Sequence, residues 1–428
     1  MKEQQLTDGF IRFIKSSPTA FHAVQTVVNY LKENHFSQRD LKDDFQIGKS
    51  EKCFIINGDS SLIAVRNPAN DLGKGLHLVG AHTDSPSLKI RPNPDLRFKD
   101  ILSISVEIYG SPLIHTWFDR DLSIAGKVNF CDSKMNQGKV LVDFSKPVAS
   151  IPSLAIHLEN KSGDPRKIDP QKELIPIFSE LSKNDQADFN QILLYQIKID
   201  YPDLDIKEVL DYDLFLYDSQ PPCEMGVQNK WINSGRIDNL LSCYAAMTAF
   251  VEADSDKTSL MVLYDHEEIG STSNIGAGGP FLKSVLSRLT NKDVLPDQII
   301  ANSRFLSADN SHAIHPNYPE KHDSNHAPLM NKGPVIKINA NQRYANDSDF
   351  SSWLKLLLKK TNIPYQVFCN RNDLRCGSTI GPMTAANIGI KTLDVGAPML
   401  AMHSIREICG KKDIHDYYRL IKEFYKSD

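Results

Sequence analysis

The sequence predicts an α/β fold in which a β-rich region is inserted between two separated pieces of one α/β domain. Helical periodicity and apolar strand-like runs alternate at both ends of the chain, whereas the middle is rich in β-branched alternation. The length of 428 residues exceeds what one hydrophobic core usually serves, so two domains are expected. One large α/β domain with an insertion is the alternative.

The first piece comprises residues 1–91. Apolar side chains recur at helical spacing over residues 6–15, and a Ser-Ser-Pro break follows. Thr19 is a candidate N-cap for a second helix over residues 20–34. Three strand-like runs come next: CFIIN, SLIAVRN and GLHLVGAH. The last run is continuously apolar and bounded by glycine, which is typical of a buried strand in a central sheet.

The inserted region comprises residues 92–222. The runs ILSISVEIYG, IAGKVNFC and KVLVDFS are separated by turn signals and predict a mostly antiparallel β region. Residues 160–188 are polar and contain proline, so a loop with a short helix is expected there.

The last piece, residues 223–428, returns to an α/β pattern. Helices are predicted over residues 239–253, 348–361 and 414–425, and another follows a glycine-rich loop. The predicted strands are SLMVLYDHEE, FLSADNS, PVIKIN, IPYQVFC and KTLDVG.

The charge, the apolar runs and the cysteines of the sequence indicate which partners and which cellular compartment to expect. The formal net charge is −4, which gives no electrostatic reason to expect nucleic acid or an anionic membrane. No run approaches the roughly 18 apolar residues of a membrane span, and charged residues interrupt the apolar start of the chain. The seven cysteines are scattered without a CxxC spacing, so reduced thiols and a cytoplasmic location are expected.

Acidic and histidine residues follow several of the apolar strands. In an open α/β sheet the carboxyl ends of the strands converge on one crevice, so these residues are expected to meet in space. Histidines and carboxylates without cysteine are the ligand mix of a hydrolytic zinc site. A charge is costly at the end of a buried strand unless it is paired or bound to metal. The candidates are His82, Asp84, Asp238, Glu267, Glu268, Asp309 and His403.

Six segments, in order along nearly the whole chain, resemble the aspartyl aminopeptidase family of dinuclear zinc aminopeptidases, in its bacterial type. The segments are GAHTDSP, SGRIDNLLS, YDHEEIGS, SADNSHAIHPNYPEKH, KGPVIKINANQRYA and MHSIREICG. The resemblance implies a three-layer zinc-exopeptidase catalytic domain and assigns the β-rich insertion to dimerisation. It also implies a peptide hydrolase that removes N-terminal residues from short peptides.

The resemblance implies the metal ligands residue by residue. His82 and Asp309 would bind one zinc ion, Glu268 and His403 the other, and Asp238 would bridge both. An anion between two divalent ions roughly 3.5–4 Å apart offsets their repulsion. Co²⁺ or Mn²⁺ is expected to substitute for zinc at such oxygen and nitrogen ligands.

The remaining roles also come from the resemblance. Glu267 would be the general base, and Asp84 would orient the His82 imidazole. His315 would contact the substrate. Tyr344 would stabilise the oxyanion, although a packed core tyrosine is the alternative.

The resemblance implies an acidic substrate preference, with Lys337 as the pocket cation for an N-terminal Asp or Glu. By pattern alone, Lys337 is more readily a surface lysine. His157 matches a family histidine that reaches the neighbouring subunit's active site, and a buried strand histidine is its alternative. The resemblance further implies a homo-oligomer, a tetrahedral dodecamer built from dimers.

Some residues and functions stay open at this point. Direct roles for His266 and His312 are unassigned, and the cluster Asp119-Arg120-Asp121 is interpreted as a structural ion-pair network. A family member with neutral, leucine-type preference is one functional alternative, and a carboxypeptidase or amidohydrolase on the same scaffold is another. A scaffold protein without catalysis is disfavoured because all five predicted ligands and the base are present.

Overall fold

The computed structural model describes residues 2–68, 72–159, 167–182, 188–291 and 296–427. The chain divides into two compact units. The first unit comprises Met1–Ser85, Pro222–Met402 and Glu407–Asp428, and the second comprises Pro86–Pro221 with His403–Arg406. The return of His403–Arg406 to the second unit is a tertiary feature that no local pattern indicates.

The helices in chain order are α1 Glu3–Lys15, α2 Ala20–Glu33, α3 Pro170–Glu173, α4 Phe189–Asp200, α5 Ile237–Glu252, α6 Phe281–Thr290, α7 Asp297–Asn302, α8 Ser348–Lys360, α9 Ile380–Ile388 and α10 Lys411–Lys426. No helix in the described ranges is both long and apolar enough to cross a membrane.

The strands β1–β10 are Ser37–Arg39, Glu51–Asn57, Ser61–Asn67, His77–His82, Ser87–Phe98, Ile101–Tyr109, Leu122–Cys131, Gln137–Asp143, Ile177–Glu180 and Glu208–Asp218. The strands β11–β20 are Cys223–Met225, Trp231–Ser234, Ser259–Tyr264, Arg304–Ala308, Ser311–His312, Val335–Ile338, Gln366–Cys369, Lys391–Gly396, Pro398–Leu400 and Glu407–Gly410.

A nine-stranded sheet forms the centre of the first unit, in the order β1-β2-β3-β13-β4-β14-β18-β16-β17. Strands β13, β4, β14 and β18 are mutually parallel neighbours. Their carboxyl ends therefore lie at one edge of the sheet, where the candidate side chains follow β4, β13 and β14. A separate five-stranded sheet, β11-β12-β20-β19-β15, belongs to the same unit.

Helices cover both faces of the nine-stranded sheet. One core cluster joins α1, α2, α5, α8 and α10 to the sheet, and another joins α6 and α9 to it. Strand β4 contributes Val79 to the first cluster and Leu78 to the second. Burial on both faces explains its continuous apolar run. These layers confirm the predicted three-layer α/β class.

The second unit is built on a six-stranded antiparallel sheet in the order β8-β7-β10-β5-β6-β9. Helix α4 packs Phe189, Leu193 and Ile197 into its core. This sheet is the β-rich region that the pattern of alternating residues predicts.

Within the predicted loop 160–188, residues 160–166 and 183–187 lie outside the described part of the chain. Helix α3 is the short helix expected there. Strand β9 was not predicted; it has only four residues and pairs with β6 at a sheet edge. Such a short edge strand has too few residues to display a period of two.

Candidate metal centre

The carboxyl ends of three parallel strands bring the candidate side chains together. His82 is the last residue of β4, Glu267 and Glu268 follow β13 in a short 3-10 turn, and Asp309 follows β14. Residues that are far apart in the sequence thus share one edge of the sheet, as the convergence of strand ends predicts.

The His82 imidazole lies at the middle of this group and is 1% exposed. Its Nε2 is 3.8 Å from Asp238 Oδ1 and 3.9 Å from Asp309 Oδ2. Glu267 Oε2 lies 4.0 Å from the same nitrogen. Three carboxylates therefore lie around the Nε2 atom of a buried imidazole.

Asp84 contacts the other nitrogen of the same ring. His82 Nδ1 is 3.0 Å from the Asp84 carbonyl oxygen and 3.4 Å from its carboxylate Oδ1. The two carboxylate oxygens also accept the backbone N–H groups of Glu267, at 3.2 Å, and Glu268, at 3.1 Å. Asp84 therefore orients the imidazole and also positions the backbone of both glutamates, a second function that the sequence did not indicate.

Asp238 is placed by the backbone at the start of α5, where Arg236 adopts a left-handed conformation (φ 61°). The Asp238 N–H donates to Glu407 Oε2 at 2.9 Å, and the Ser85 hydroxyl donates to the Asp238 carbonyl at 2.6 Å. The Asn310 amide donates to the preceding Ile237 carbonyl at 2.8 Å. These contacts hold the segment from both sides, and the carboxylate remains directed at His82.

These positioning residues were missed by sequence reasoning. Ser85 and Asn310 each lie one residue beyond a predicted site residue, so their adjacency to Asp84 and Asp309 was a usable signal. Glu407 carries no such signal, because it lies in β20 of the separate five-stranded sheet.

A glycine permits the close approach of β18 to the turn after β14. A Cβ on Gly396 would lie 1.8 Å from the Asp309 carbonyl oxygen, so no larger residue fits there without moving the backbone. The Asp309 N–H donates to the Val395 carbonyl at 2.9 Å. This packing fixes where the Asp309 carboxylate projects.

The donor set fits a divalent metal ion. One ligand atom from each of His82, Asp238 and Glu268 lies within 4.8 Å of the others. Two ligands of a tetrahedral zinc ion, each about 2.0–2.1 Å from it, lie about 3.4 Å apart, near the His82–Asp238 and His82–Asp309 separations. Burying this many carboxylates is costly unless cations offset their charges.

The pKa shifts follow from this crowding of charge. Burial lowers the pKa of His82, but Asp84, Glu267 and Asp238 outweigh that effect, and the pKa lies well above its usual value. Burial raises the pKa of Glu267 to about 8, with the nearby carboxylates contributing in the same direction and His82 opposing them. Burial is also the main cause of the raised pKa of Asp309.

Lys337 lies in β16 and is 3% exposed, so the surface-lysine alternative is wrong. Its Nζ donates to Asp309 Oδ1 at 3.1 Å and lies 5.2 Å from the centre of the Tyr344 ring. Burial lowers the pKa of the amine, but Asp309 and other negative groups outweigh it and raise that pKa above its usual value. The buried ammonium is thus paired with a predicted metal ligand.

Tyr344 is 4% exposed and packs with Val335 and Phe368 in a small apolar cluster. Burial raises the pKa of its phenol to about 12, whereas Lys337 opposes that rise. The hydroxyl therefore keeps its proton at neutral pH and is a hydrogen-bond donor.

The other histidines near these segments lie in different surroundings. His266 Nδ1 is 2.8 Å from the Ser273 hydroxyl, and its Nε2 is 3.7 Å from Asp265. His312 is exposed, and its ring centre lies 6.1 Å from that of Phe368. His315 is half-buried, and its Nδ1 accepts the Asn317 N–H at 3.2 Å.

Two predicted site histidines belong to the second unit. His403 has φ 67°, and its Nδ1 is 3.0 Å from the Ser111 carbonyl oxygen. His157 is exposed in a turn, so the buried-strand alternative for this residue is wrong. The three candidate ligands whose ligand atoms lie within 4.8 Å of one another all belong to the first unit; they are His82, Asp238 and Glu268.

The family model for the aminopeptidase I zinc metalloproteases (M18) matches residues 13–425. The chain belongs to the M18 family of zinc aminopeptidases. His82, Asp238 and Glu268 all lie within the matched range. The match confirms the family resemblance that the six sequence segments indicated.

Curated and solved relatives agree with this M18 membership. A probable M18 family aminopeptidase 2 of Pseudomonas entomophila is 43% identical over 431 residues, covering 99% of this chain and 98% of its own. Ape4, solved in complex with Nbr1, has a TM-score of 0.94 and 33% identity, covering 99% of this chain and 86% of its own. The structure of the S. cerevisiae mApe1 dodecamer matches with a TM-score of 0.84 and 28% identity, covering 99% of this chain and 96% of the mApe1 chain.

Proposed function

We propose that this M18 zinc aminopeptidase hydrolyses the N-terminal residue of short peptides at a two-zinc centre, with a preference for Asp or Glu. The observation that carries the proposal is the convergence of His82, Asp238 and Glu268 within 4.8 Å, with Glu267 and Asp309 beside them. The proposed ligands and the proposed general base would thus share one site.

His82 and Asp309 would hold one zinc ion, and Glu268 and His403 the other, with Asp238 shared between them. The 3.8 and 3.9 Å separations around His82 Nε2 support the first set. When bound, zinc supplies Lewis acidity that lowers the pKa of a water molecule and polarises the peptide carbonyl. Co²⁺ or Mn²⁺ would bind the same donors.

Glu267 would accept the proton of the attacking water at its carboxylate and later deliver it to the leaving amine. Its backbone N–H is held by Asp84, so the carboxylate stays beside His82 without being tied to it. Asp84 would also keep the imidazole in one orientation, with Nε2 directed at the cluster.

Tyr344 and His315 would contact the substrate. Because the Tyr344 phenol stays protonated at neutral pH, its hydroxyl would donate to the developing oxyanion. Its packing against Val335 and Phe368 supports a fixed ring rather than a mobile one.

The acidic preference would depend on Lys337, a buried cation beside the cluster. An acidic side chain that leaves water needs a cation or strong donors in its pocket. The pairing of Lys337 with Asp309 offsets part of its charge, and this observation favours a second candidate, a neutral leucine-type preference.

The inserted domain, proposed over residues 92–222, would mediate dimerisation within a tetrahedral homododecamer. Residues 1–91 and 223–428 would form the two pieces of the catalytic domain. A dodecamer has been solved for the related mApe1. We also propose a cytoplasmic enzyme, which the seven free cysteines support.

The test compares kcat/KM for Asp-, Glu- and Leu-peptides in wild type and in Lys337→Met. If Lys337 sets an acidic preference, the variant should lose acidic substrates by about 10²-fold while leucine substrates change little. A wild type that favours leucine, or a variant that loses every substrate equally, would contradict that role.

Two controls separate the activity class from the specificity. Exhaustive chelation should abolish hydrolysis, and Zn²⁺, Co²⁺ or Mn²⁺ should restore it. N-acetylated peptides should not be cleaved, because an aminopeptidase site holds the free amine. Cleavage of acetylated peptides would favour the carboxypeptidase or amidohydrolase alternative.

A further inference from the structure

A second cavity lies at the opposite end of the parallel strands. Its volume is about 280 Å³, and we refer to it as the basic cavity. Arg304 is the first residue of β14 and Lys391 the first of β18, whereas Lys257 and Lys74 precede β13 and β4. These four cations thus lie near the amino ends of four neighbouring parallel strands, and candidate metal ligands lie at the carboxyl ends of three of these strands, β4, β13 and β14.

The positive charge of the basic cavity is only partly offset. Asp349, at the start of α8, is the acidic residue that lines it. In the part of the chain that the structure describes, no carboxylate lies within ion-pair distance of Arg304, Lys74 or Lys391. Three cations without such a partner therefore line this concave space, together with Lys257 and one lining carboxylate.

Arg304 is half-buried and packs against Trp353. Its guanidinium lies 4.1 Å from the centre of the Trp353 ring, which leaves the donors at the edge of the fork available. Burial lowers the pKa of this arginine, an indication that its charge is poorly solvated. A guanidinium held over an aromatic ring is well prepared to bind a planar or tetrahedral oxyanion.

The buried His77 is affected by the same positive charges. It begins β4, is fully buried, and stacks on Phe424 at 4.8 Å. Burial lowers its pKa to about 3, and the charges of Lys257 and Arg304 act in the same direction. The same two cations that line the cavity therefore disfavour a further positive charge nearby.

We propose that the basic cavity binds a small phosphoryl anion of two or more negative charges, held by Arg304 and surrounded by Lys74, Lys257 and Lys391. A tetrahedral phosphoryl group accepts hydrogen bonds from several directions, whereas a carboxylate accepts mainly in its plane. The volume of about 280 Å³ leaves room for an anion of pyrophosphate size together with water. Strand β14 separates Arg304 from Asp309 by about 16 Å of extended chain.

The test is calorimetric titration of the intact zinc-loaded protein with inorganic pyrophosphate, and separately with orthophosphate and citrate, at constant ionic strength. Pyrophosphate should bind saturably, and Lys74→Met/Lys391→Met should weaken it at least tenfold. Both lysines are exposed, so this double variant should fold normally. Arg304→Met should abolish binding, with its thermal unfolding checked in parallel.

Matched controls exclude simpler explanations. Lys359→Met/Lys360→Met removes two exposed charges from the far end of α8 and should bind pyrophosphate as the wild type does. If pyrophosphate bound at the metal centre instead, it would bind the wild type and the Lys74→Met/Lys391→Met variant equally tightly. Equal binding by these two proteins would therefore overturn the proposal, as would a response that potassium chloride reproduces. Citrate binding as tight as that of pyrophosphate would overturn the phosphoryl assignment. Peptidase activity should be unchanged in both double variants.

Discussion

At the scale of single residues, one carboxylate organises much of the metal centre. Asp84 contacts the His82 ring and also accepts the backbone N–H groups of Glu267 and Glu268. Glu267 Oε2 lies 4.0 Å from His82 Nε2, and a carboxylate oxygen of Glu268 lies within 4.8 Å of ligand atoms of His82 and Asp238. The functions proposed for these neighbours differ, because Glu267 would be the general base and Glu268 a metal ligand.

This difference predicts distinct effects of two conservative substitutions. Glu267→Gln should retain metal but lose about 10²–10⁴-fold in kcat, because the proton acceptor is gone. Glu268→Gln should lower metal occupancy, because a neutral amide is a poorer ligand than a carboxylate. Metal analysis and kinetics on the same preparations measure both effects.

Glu33→Gln, an exposed glutamate at the end of α2, is the matched control and should change neither quantity. If Glu267→Gln loses metal while Glu268→Gln retains it, the two assignments are exchanged.

At the scale of elements, β4 shows how position along one strand decides the chemistry of a side chain. His77 begins the strand and His82 ends it. Burial, with Lys257 and Arg304, lowers the pKa of His77 to about 3. Carboxylates raise the pKa of the equally buried His82 well above its usual value. The two ends of the same sheet therefore carry opposite electrostatic fields.

His77 predicts an acid-sensitive step in stability. Its folded-state pKa of about 3 lies below the value of about 6.5 expected in the unfolded chain, so the unfolded state binds the proton first. Its contribution to stability is full above pH 6.5 and is lost progressively as the pH falls toward 3. At pH 5.5 the loss should be about 1.4 kcal/mol.

Urea unfolding at pH 7.5 and 5.5, at one protein concentration, measures this loss. His77→Phe keeps an aromatic ring against Phe424 and should reduce the difference between the two pH values by about 1.4 kcal/mol. His115→Gln, at an exposed histidine of the second unit, is the control. An unchanged difference in His77→Phe would show that His77 does not titrate on unfolding.

The segment that carries His157 is also organised as an element. The Asp119 carboxylate accepts the Ser153 N–H at 2.8 Å and its hydroxyl at 2.6 Å, which fixes the start of the segment. The neighbouring Arg120 donates to Asp218, at 2.8 Å. The cluster interpreted as an ion-pair network thus combines an ion pair with an anchor for this segment.

At the scale of the whole molecule, the exposed apolar residues are unevenly distributed. Leu154, Ile156 and Leu158 flank His157 and are 48%, 75% and 71% exposed. Large apolar side chains exposed together commonly mark an interface with another protein. This pattern supports an oligomer in which the segment is covered by another copy of the chain.

Complementation tests whether His157 acts in a neighbouring subunit. Equimolar His157→Ala and Glu267→Gln, each nearly inactive alone, should recover about a quarter of wild-type activity once subunits exchange, because half the dimers are hybrids with one intact site each.

Subunit exchange is verified by mass, and each variant mixed with itself is the control. If activity does not recover although subunits exchange, His157 does not act in the active site of a neighbouring subunit. A monomeric mass with full activity would contradict the assembly.

Much of the architecture could be predicted because local periodicity reports which face of an element is buried. The continuous apolar run of β4 predicted a strand covered on both faces, and the alternation in the middle of the chain predicted an antiparallel sheet. Four-residue β9 has too little length for such a signal, and the segment His403–Arg406 joins the second unit without any local mark.

The sequence by itself determined the candidate metal donors, the positions of several of them after apolar strands, and the family to which the chain belongs. Tertiary structure alone decided that Lys337 is buried against Asp309, that His157 is exposed, and that Glu407 positions Asp238. The physical reason is that periodicity depends on neighbours in the chain. Pairing across the sheet and burial of charge depend on the packing of residues that are distant in the sequence.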